Sequence, residues 1–267
     1  MPVSATSVAL SFPSDAQVAW RLNPMAGSDM NFVNHLEELR RRIIISALAI
    51  LITTAASFFA ADFVLKLLLL PSGGLRLRAF SLLDGFTIKL RLALYTGIVI
   101  AFPVWAFQIL RFVSPGLRAD EKRGLYPFLF SALLLFAAGT AFGYYLLWGM
   151  IRVLIQLFPA QVEYLPSAVD YISFVVFFLL ACGIAFELPC MLIVLVRFHI
   201  LKSALLRKQR RIAYFVLFAF AEIITPVSDP IVAPLTVMLP LVILYEVSIL
   251  IARRIEARRT DPALESD

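Results

Sequence analysis

The sequence has few of the side chains that most enzymes use for chemistry. It contains two histidines and two cysteines, and only 16% of its residues are charged. His35 and His199 lie far apart, and none of the motifs HExxH, GxxxxGKS/T and GxSxG occurs. These absences argue against a metalloprotease, a nucleotide-driven enzyme and a serine protease. We therefore expect no catalytic residues, no metal, no cofactor and no enzyme activity.

The two cysteines, Cys182 and Cys190, lie on one apolar run. If this run is helical, about 12 Å separates the two residues along the helix axis. That distance is too long for a disulfide bond between them. We expect both thiols to be packing residues, so they indicate no particular redox compartment.

Hydrophobic residues, in contrast, are abundant. They make up 61% of the 267 residues, whereas roughly 45–50% is typical of a soluble domain. They are concentrated in blocks of about 20 residues, which is the helix length needed to cross about 30 Å of hydrocarbon. The composition therefore predicts an all-α integral membrane protein.

Six apolar blocks are predicted to be transmembrane helices. Pro103 interrupts the second block, and Pro234 and Pro240 lie in the first half of the sixth. The fifth block would be only about 21 Å long as a helix. Either the bilayer is thinner there, polar neighbours shield its ends, or the helix is longer by a turn. The blocks are residues 43–61, 92–113, 125–148, 172–196, 212–225 and 231–252.

Basic residues predict the orientation in the membrane. With the N-terminus inside, the inner segments hold three times as many Lys and Arg residues as the outer segments, which predicts that both termini are cytoplasmic. This bias accounts for the net charge of +6, so we expect no nucleic-acid partner. We expect residues 1–30 to be a disordered extension, 31–253 to form the six-helix domain and 254–267 to be a short cytoplasmic tail. Residues 62–91 are predicted to include a helix at the outer membrane interface, and 149–171 to form a second outer cap.

Charged residues precede the first apolar block in the stretch NHLEELRRR. Asn34 is predicted to cap a helix whose third position is Glu37. Glu38 is predicted to pair with Arg41 and Arg42, three and four residues further along the helix.

A second acidic group, Asp120 with Glu121, lies in the inner loop FVSPGLRADEKRGLYP. These carboxylates can be solvated side chains of a basic loop. They can equally be a site for a cationic peptide, because carboxylates pair well with guanidinium groups. Composition leaves both interpretations open.

Glu187 lies within the fourth apolar block, in LLACGIAFELPCMLIVLV. A charge at the centre of a transmembrane helix costs about 2.5–3.5 kcal/mol on insertion scales, and such residues are usually functional. Pro189 removes a helical hydrogen bond nearby and so predicts a polar break at the same depth. The alternative is a structural role as a protonated, hydrogen-bonded carboxyl. In the third apolar block, Gly139 and Gly143 form GTAFG, a pattern of small residues that favours close helix packing.

Four motifs occur in a fixed order along the chain. They are HLEELRRR before the first block, SPGLRADEKR after the second, FELP in the fourth and ITPVSDP after the fifth. With these motifs, residues 31–253 resemble the TatC family, the multispanning subunit of the Sec-independent twin-arginine protein translocase. The resemblance implies six transmembrane helices, with both termini cytoplasmic, that form a concave, cupped wall in the bacterial cytoplasmic membrane.

The resemblance also implies partners. It implies that the chain binds the Arg-Arg signal peptides of folded cargo proteins. It further implies cooperation with single-span TatA- and TatB-type subunits, driven by the proton-motive force, together with self-association and contact with membrane lipid.

Roles for individual residues follow from the same resemblance. Four residues are implied in signal-peptide binding: Glu38, Arg40, Phe112 and Glu121. Four are implied in docking partner helices within the membrane: Glu187, Pro189, Asp229 and Glu246. The chain departs from the family at Ala233, near a position where glutamine is frequent, and at Glu222, which matches no family position.

Two other functions compete with this one. A proton-coupled transporter of small solutes would use Glu187 and Glu222 as proton carriers. It would also require inverted repeats with binding residues on corresponding helices, and the sequence shows no such symmetry. A membrane insertase would act on unfolded chains, so a requirement for folded cargo with an Arg-Arg signal separates the two.

Overall fold

A computed structural model describes residues 26–74, 76–113, 125–156, 165–197, 200–225 and 232–260. The chain divides into two units, Met1–Ile44 and Ile45–Asp267. The described part of the first unit is the beginning of helix α1. The α-helices within the described ranges are α1 (Ala26–Ser57), α2 (Ala61–Leu69), α3 (Asp84–Ile100), α4 (Phe102–Val113), α5 (Leu125–Gln156), α6 (Ala168–Ala185), α7 (Leu188–Arg197), α8 (Ser203–Lys208), α9 (Arg210–Ile224) and α10 (Val232–Thr260).

Helices dominate because hydrocarbon offers the backbone no hydrogen-bond partners. An α-helix pairs its N–H and C=O groups within one segment. Across the described ranges, the extended structure is limited to an isolated bridge between Arg78 and Ser167. The predicted all-α membrane fold is therefore confirmed.

The helices follow the predicted apolar blocks. Four continuous stretches are long and apolar enough to cross a membrane: 35–72, 126–153, 168–197 and 234–257. A fifth such segment is the pair α3 and α4, bent by 51°. The remaining block is α9, which has 15 residues and a length of about 22 Å. Its ends lie within two residues of those predicted. The helix is therefore short, and the alternative of a helix longer by a turn is excluded.

Both predicted proline breaks are present. Helix α3 ends at Ile100, and α4 begins at Phe102, one residue before Pro103. The indole N–H of Trp105 donates to the Ile98 carbonyl over 3.2 Å, so this carbonyl keeps a partner at the bend. Helix α7 places Pro189 at its second position, where the missing N–H would have no helical acceptor.

Close contact between α5 and α6 depends on glycine. A Cβ atom at Gly139 would lie 2.6 Å from the carbonyl oxygen of Cys182, and one at Gly143 would lie 2.9 Å from the Cys182 Cβ atom. From the other helix, a Cβ atom at Gly183 would lie 2.8 Å from Oγ1 of Thr140. The GTAFG pattern therefore does predict a close helix crossing.

Helix α6 lies at the centre of the second unit, with Ile172, Val175 and Phe178 all 0% exposed. The segments predicted to be outer pack at one end of this core. The hydroxyl groups of Tyr144 and Tyr171 donate to carbonyls at the end of α2, those of Leu67 (2.9 Å) and Leu68 (3.1 Å).

The two predicted outer caps are joined to each other by backbone hydrogen bonds. Arg78 donates to Pro166 over 3.0 Å and accepts from Ala168 over 2.8 Å. The N–H of Asp170 donates to the side chain of Ser167, the N-cap of α6. Helix α6 therefore begins where the outer segments meet.

Helix ends differ from the sequence predictions. Helix α1 begins at Ala26, so Asn34 lies inside it, and the predicted N-cap at Asn34 is wrong. Pro24 precedes this start and disfavours helix at the residue before it. At the other end, α10 continues to Thr260, past residue 252, where the sixth apolar block ends, and no proline lies between Pro240 and Pro262.

The glycine contact predicts that an added methyl group destabilises the protein at Gly139 but not at Gly149. Replacement Gly139→Ala forces α5 away from the Cys182 carbonyl, and we expect it to lower the free energy of unfolding by about 1–3 kcal/mol. The measurement is the thermal unfolding midpoint of the purified protein in detergent.

Gly149 is the matched control, because it lies on the same helix and a Cβ atom there would meet nothing within 4 Å. Gly149→Ala should leave stability unchanged or raise it by up to about 1 kcal/mol. Equal midpoints for the two variants would contradict the close crossing.

Candidate functional site

The first candidate residues lie on the described part of the first unit. Glu38 is half-buried and accepts a hydrogen bond from Nη2 of Arg42 at 2.8 Å. Arg40 and Glu37 are exposed on the same helix. The predicted pairing of Glu38 with Arg42 is thus confirmed, and it shows that this carboxylate lies where a guanidinium group can reach it.

Other predicted signal-peptide residues are only partly described. Phe112 is half-buried in the last turn of α4, next to exposed Arg111. Glu121 and Asp229 fall outside the described residues, so their roles stay predictions.

Glu187 lies at the break between two helices of one span. Helix α6 ends at Ala185 and α7 begins at Leu188, so Phe186 and Glu187 form a turn. The turn is closed by hydrogen bonds from the N–H of Phe186 to the Cys182 carbonyl (3.1 Å) and from the N–H of Glu187 to that of Ile184 (3.0 Å). Proline two positions later prevents the helix from running straight through.

The carboxyl group of Glu187 faces a neighbouring helix. It lies beside Cys190 and the backbone of Phe136, and Cys190 in turn lies 3.8 Å from the hydroxyl of Ser131. Oxygen Oε1 of Glu187 is buried and has no hydrogen-bond partner among the described residues. An unpaired buried acceptor is costly, so a hydrogen-bond donor brought close to this carboxyl group would relieve that cost.

A groove of about 400 Å³ runs beside this carboxyl group. Apart from Glu187, its described lining is almost wholly apolar, and it comes mainly from α4, α5 and α7. An apolar concave surface with one polar group at its edge is typical of binding sites. The lining residues are Phe102, Trp105, Ala106, Ile109, Leu110, Phe128, Ala132, Glu187, Cys190, Met191, Val194, Leu195 and Ile200.

Glu246 has a different environment. Its Oε2 accepts from Nη2 of Arg210 at 2.6 Å, and its Oε1 accepts from the hydroxyl of Tyr214 at 2.6 Å. Both oxygens are therefore engaged, and they link α10 to α9. Sequence reasoning selected Glu246 but missed Arg210 and Tyr214, although their i,i+4 spacing on a short helix places them on one face.

Glu222 is exposed on α9 and does not belong to the groove lining. The groove thus holds only one of the two carboxylates that a proton-coupled transporter would require. This separation argues against the transporter interpretation.

Comparison with known proteins decides the family. The family model described as Sec-independent protein translocase protein (TatC) matches residues 34–240, which is well over half of the chain. The chain belongs to the TatC family. The matched range includes both the Glu38 motif and the Glu187 break, so the two candidate sites lie in the TatC part of the chain.

Relatives in the TatC family match along most of their length. The TatC protein of Carboxydothermus hydrogenoformans is 34% identical over 237 residues, covering 88% of this chain and 97% of its own. That of Aquifex aeolicus is 35% identical over 232 residues, covering 84% of this chain and 95% of its own.

The fold also matches solved structures of the family. A crystal structure described as the twin arginine translocase receptor TatC superposes with a TM-score of 0.71 at 34% identity, covering 82% of this chain and 98% of that chain. A crystal structure of that receptor in DDM gives a TM-score of 0.73 at 34% identity.

The cluster around Glu246 predicts a stability effect. Glu246→Ala leaves Arg210 and Tyr214 without their shared acceptor, and we expect a loss of about 1–3 kcal/mol in the free energy of unfolding. Glu246→Gln should lose less, because an amide oxygen still accepts from Tyr214. Thermal unfolding in detergent measures both.

Glu222→Ala is the control, since it removes an exposed carboxylate from the same helix pair and should change stability by less than about 0.5 kcal/mol. If Glu246→Ala and Glu222→Ala unfold at one temperature, the cluster does not hold α9 to α10.

Proposed function

We propose that this chain is the receptor subunit of a twin-arginine translocase. It binds the Arg-Arg signal peptides of folded proteins and exports them, with single-span TatA- and TatB-type subunits, by means of the proton-motive force. The observation that carries the proposal is TatC family membership across residues 34–240. The match to a structure described as a twin arginine translocase receptor supports it.

We further propose that the chain crosses the bacterial cytoplasmic membrane six times, with both termini in the cytoplasm. Five segments have the length and composition for this, and the short helix α9 supplies the sixth. The excess of Lys and Arg on the inner segments supports the orientation.

The arginine pair of the signal peptide is proposed to bind Glu38 and Glu121, near Arg40 and Phe112. Arginine is selected over lysine because its planar guanidinium group makes two parallel hydrogen bonds to one carboxylate. The 2.8 Å contact of Glu38 with Arg42 supports the geometry. A carboxylate has two oxygens and accepts further donors, so a signal arginine can share Glu38 with Arg42 or displace it.

Partner helices are proposed to dock at Glu187. The groove beside it provides apolar surface, and the unpaired Oε1 provides one acceptor for a polar group on the entering helix. Pro189 maintains this acceptor by breaking the helix next to it. Asp229 and Glu246 are proposed to contribute to docking near the fifth and sixth spans, with Glu246 acting by holding α9 against α10.

The arginine-binding proposal predicts graded losses of signal-peptide binding. Each lost charge-assisted contact is worth about 1.5–3 kcal/mol, or about tenfold or more in affinity. We expect Glu121→Ala to weaken crosslinking of an Arg-Arg signal peptide, Glu38→Ala to weaken it less, and the double variant to weaken it most. The measurement uses membranes containing the full chain and a photo-crosslinker beside the arginine pair.

Glu37→Ala is the matched control, because Glu37 is the exposed neighbour in the same motif; it should crosslink normally. Unchanged crosslinking in a stably folded double variant would exclude this site. In a strain that depends on this chain, equal export of a folded reporter with Arg-Arg and Lys-Lys signals would contradict the function itself.

The docking proposal predicts different results for two substitutions of Glu187. Glu187→Gln keeps an oxygen acceptor, and we expect it to retain most crosslinking between the groove and the partner helices. Glu187→Ala removes the acceptor, and we expect roughly tenfold weaker crosslinking. The crosslinker is placed at Met191, which is exposed on α7.

Glu222→Gln and Glu222→Ala serve as controls and should leave crosslinking unchanged. Complete loss with Glu187→Gln, in a complex that still assembles, would show that the negative charge and not hydrogen bonding is used.

A further inference from the structure

A short loop before α3 exposes large apolar side chains. Phe80 is 72% exposed, Leu82 is 100% exposed and Leu83 is 67% exposed. Scattered exposed apolar residues are common on protein surfaces, but a cluster at one site usually has a partner. These residues precede the first turn of α3, so their exposure is not explained by the lipid-facing side of a transmembrane helix.

The loop is held in a fixed conformation. Oδ2 of Asp84 accepts hydrogen bonds from the backbone N–H of Phe80 (2.7 Å) and of Ser81 (3.0 Å). The side chain of Ser81 accepts from the N–H of Leu83 at 3.3 Å, and the hydroxyl of Thr87 donates to the Leu83 carbonyl at 3.0 Å. These contacts fix the backbone before any partner binds, so little conformational entropy is lost on binding.

The apolar surface of the loop continues along the membrane helix. Leu83, Phe86, Leu90 and Leu94 follow each other at spacings of three and four residues and are all exposed, so they form one stripe along α3. Phe58 lies beside this stripe, with its ring centroid 6.4 Å from that of Phe86. The stripe faces lipid where α3 crosses the bilayer, and the loop lies at its end.

Charges near the loop favour a phosphate-rich surface. Arg76 and Arg78 are exposed just before it, and the backbone of Arg78 is fixed against Pro166 and Ala168. The nearby carboxylates are engaged, since Asp84 closes the loop and Asp62 pairs with Lys89 at 2.9 Å.

We propose that Phe80, Leu82 and Leu83 insert into the bilayer interface at the N-terminal end of α3, with Arg76 and Arg78 on lipid phosphates. The loop is an interfacial anchor that fixes the depth of α3 in the membrane. The inference does not depend on the signal-peptide or docking proposals.

Spin-label depth measurements test the anchor. The buried Cys182 and Cys190 are replaced by alanine, and a nitroxide is attached at Leu82→Cys of the full chain in vesicles of phosphatidylethanolamine and phosphatidylglycerol. We expect collisions with dissolved oxygen to dominate over collisions with a water-soluble nickel chelate. Arg254→Cys, which is exposed near the C-terminal end of α10 and outside the proposed anchor, is the control and should show the reverse.

The brace formed by Asp84 gives a second readout. With the label at position 82, Asp84→Ala should increase nickel accessibility, whereas Asp84→Asn should not, because its side-chain oxygen still accepts from the loop. Unchanged unfolding temperatures separate this effect from misfolding.

Two results would overturn the proposal. One is equal nickel accessibility at positions 82 and 254 in the folded protein. The other is strong dipolar coupling between labels at position 82 of two copies, which would assign the loop to contact between chains instead of to lipid.

Discussion

The close approach of α5 to α6 at Gly139 governs the architecture around Glu187. A Cβ atom at this position would touch both the Cys182 carbonyl oxygen and the Cβ atom of Phe186, at 2.6 and 2.7 Å. The end of α6 and the turn after it are therefore covered by α5. Irregular backbone inside a bilayer persists only where protein or water shields it, so this crossing allows the break between α6 and α7.

Much of the fold was predictable because a bilayer requires the same feature of every segment that crosses it, an apolar helix of spanning length. Apolar blocks of spanning length became helices, Pro103 and Pro189 marked the two breaks, and GTAFG marked the close crossing. Helix ends were predicted less well. The cap at Asn34 looked favourable as a local motif, but nothing in the preceding residues after Pro24 stops a helix, so α1 starts earlier at Ala26.

The candidate site was predictable in its residues and not in its contacts. Motifs identified Glu38 and Glu187, and the family resemblance added Glu246. The partners Arg210 and Tyr214 come from a helix more than thirty positions away from Glu246. No local pattern encodes such a pair, because it depends on how α9 and α10 pack. The groove beside Glu187 likewise requires residues from three helices that are distant in sequence.

Glu187, Glu222 and Glu246 look alike in sequence, as single carboxylates in apolar runs. In the structure they differ in exposure and in hydrogen-bond partners. Glu246 has a donor on each oxygen, so it stabilises the packing of its own chain. Glu222 is exposed and does not line the groove beside Glu187. Glu187 alone of these three combines a buried, unpaired oxygen with an apolar groove. This oxygen is already buried and unpaired in the chain itself, so an apolar helix would fill the groove without relieving a cost of about 1–3 kcal/mol. A helix that carries a donor at the matching depth avoids this cost. In the docking proposal, discrimination among partner helices thus comes from the contact that only a donor-bearing helix makes with Glu187.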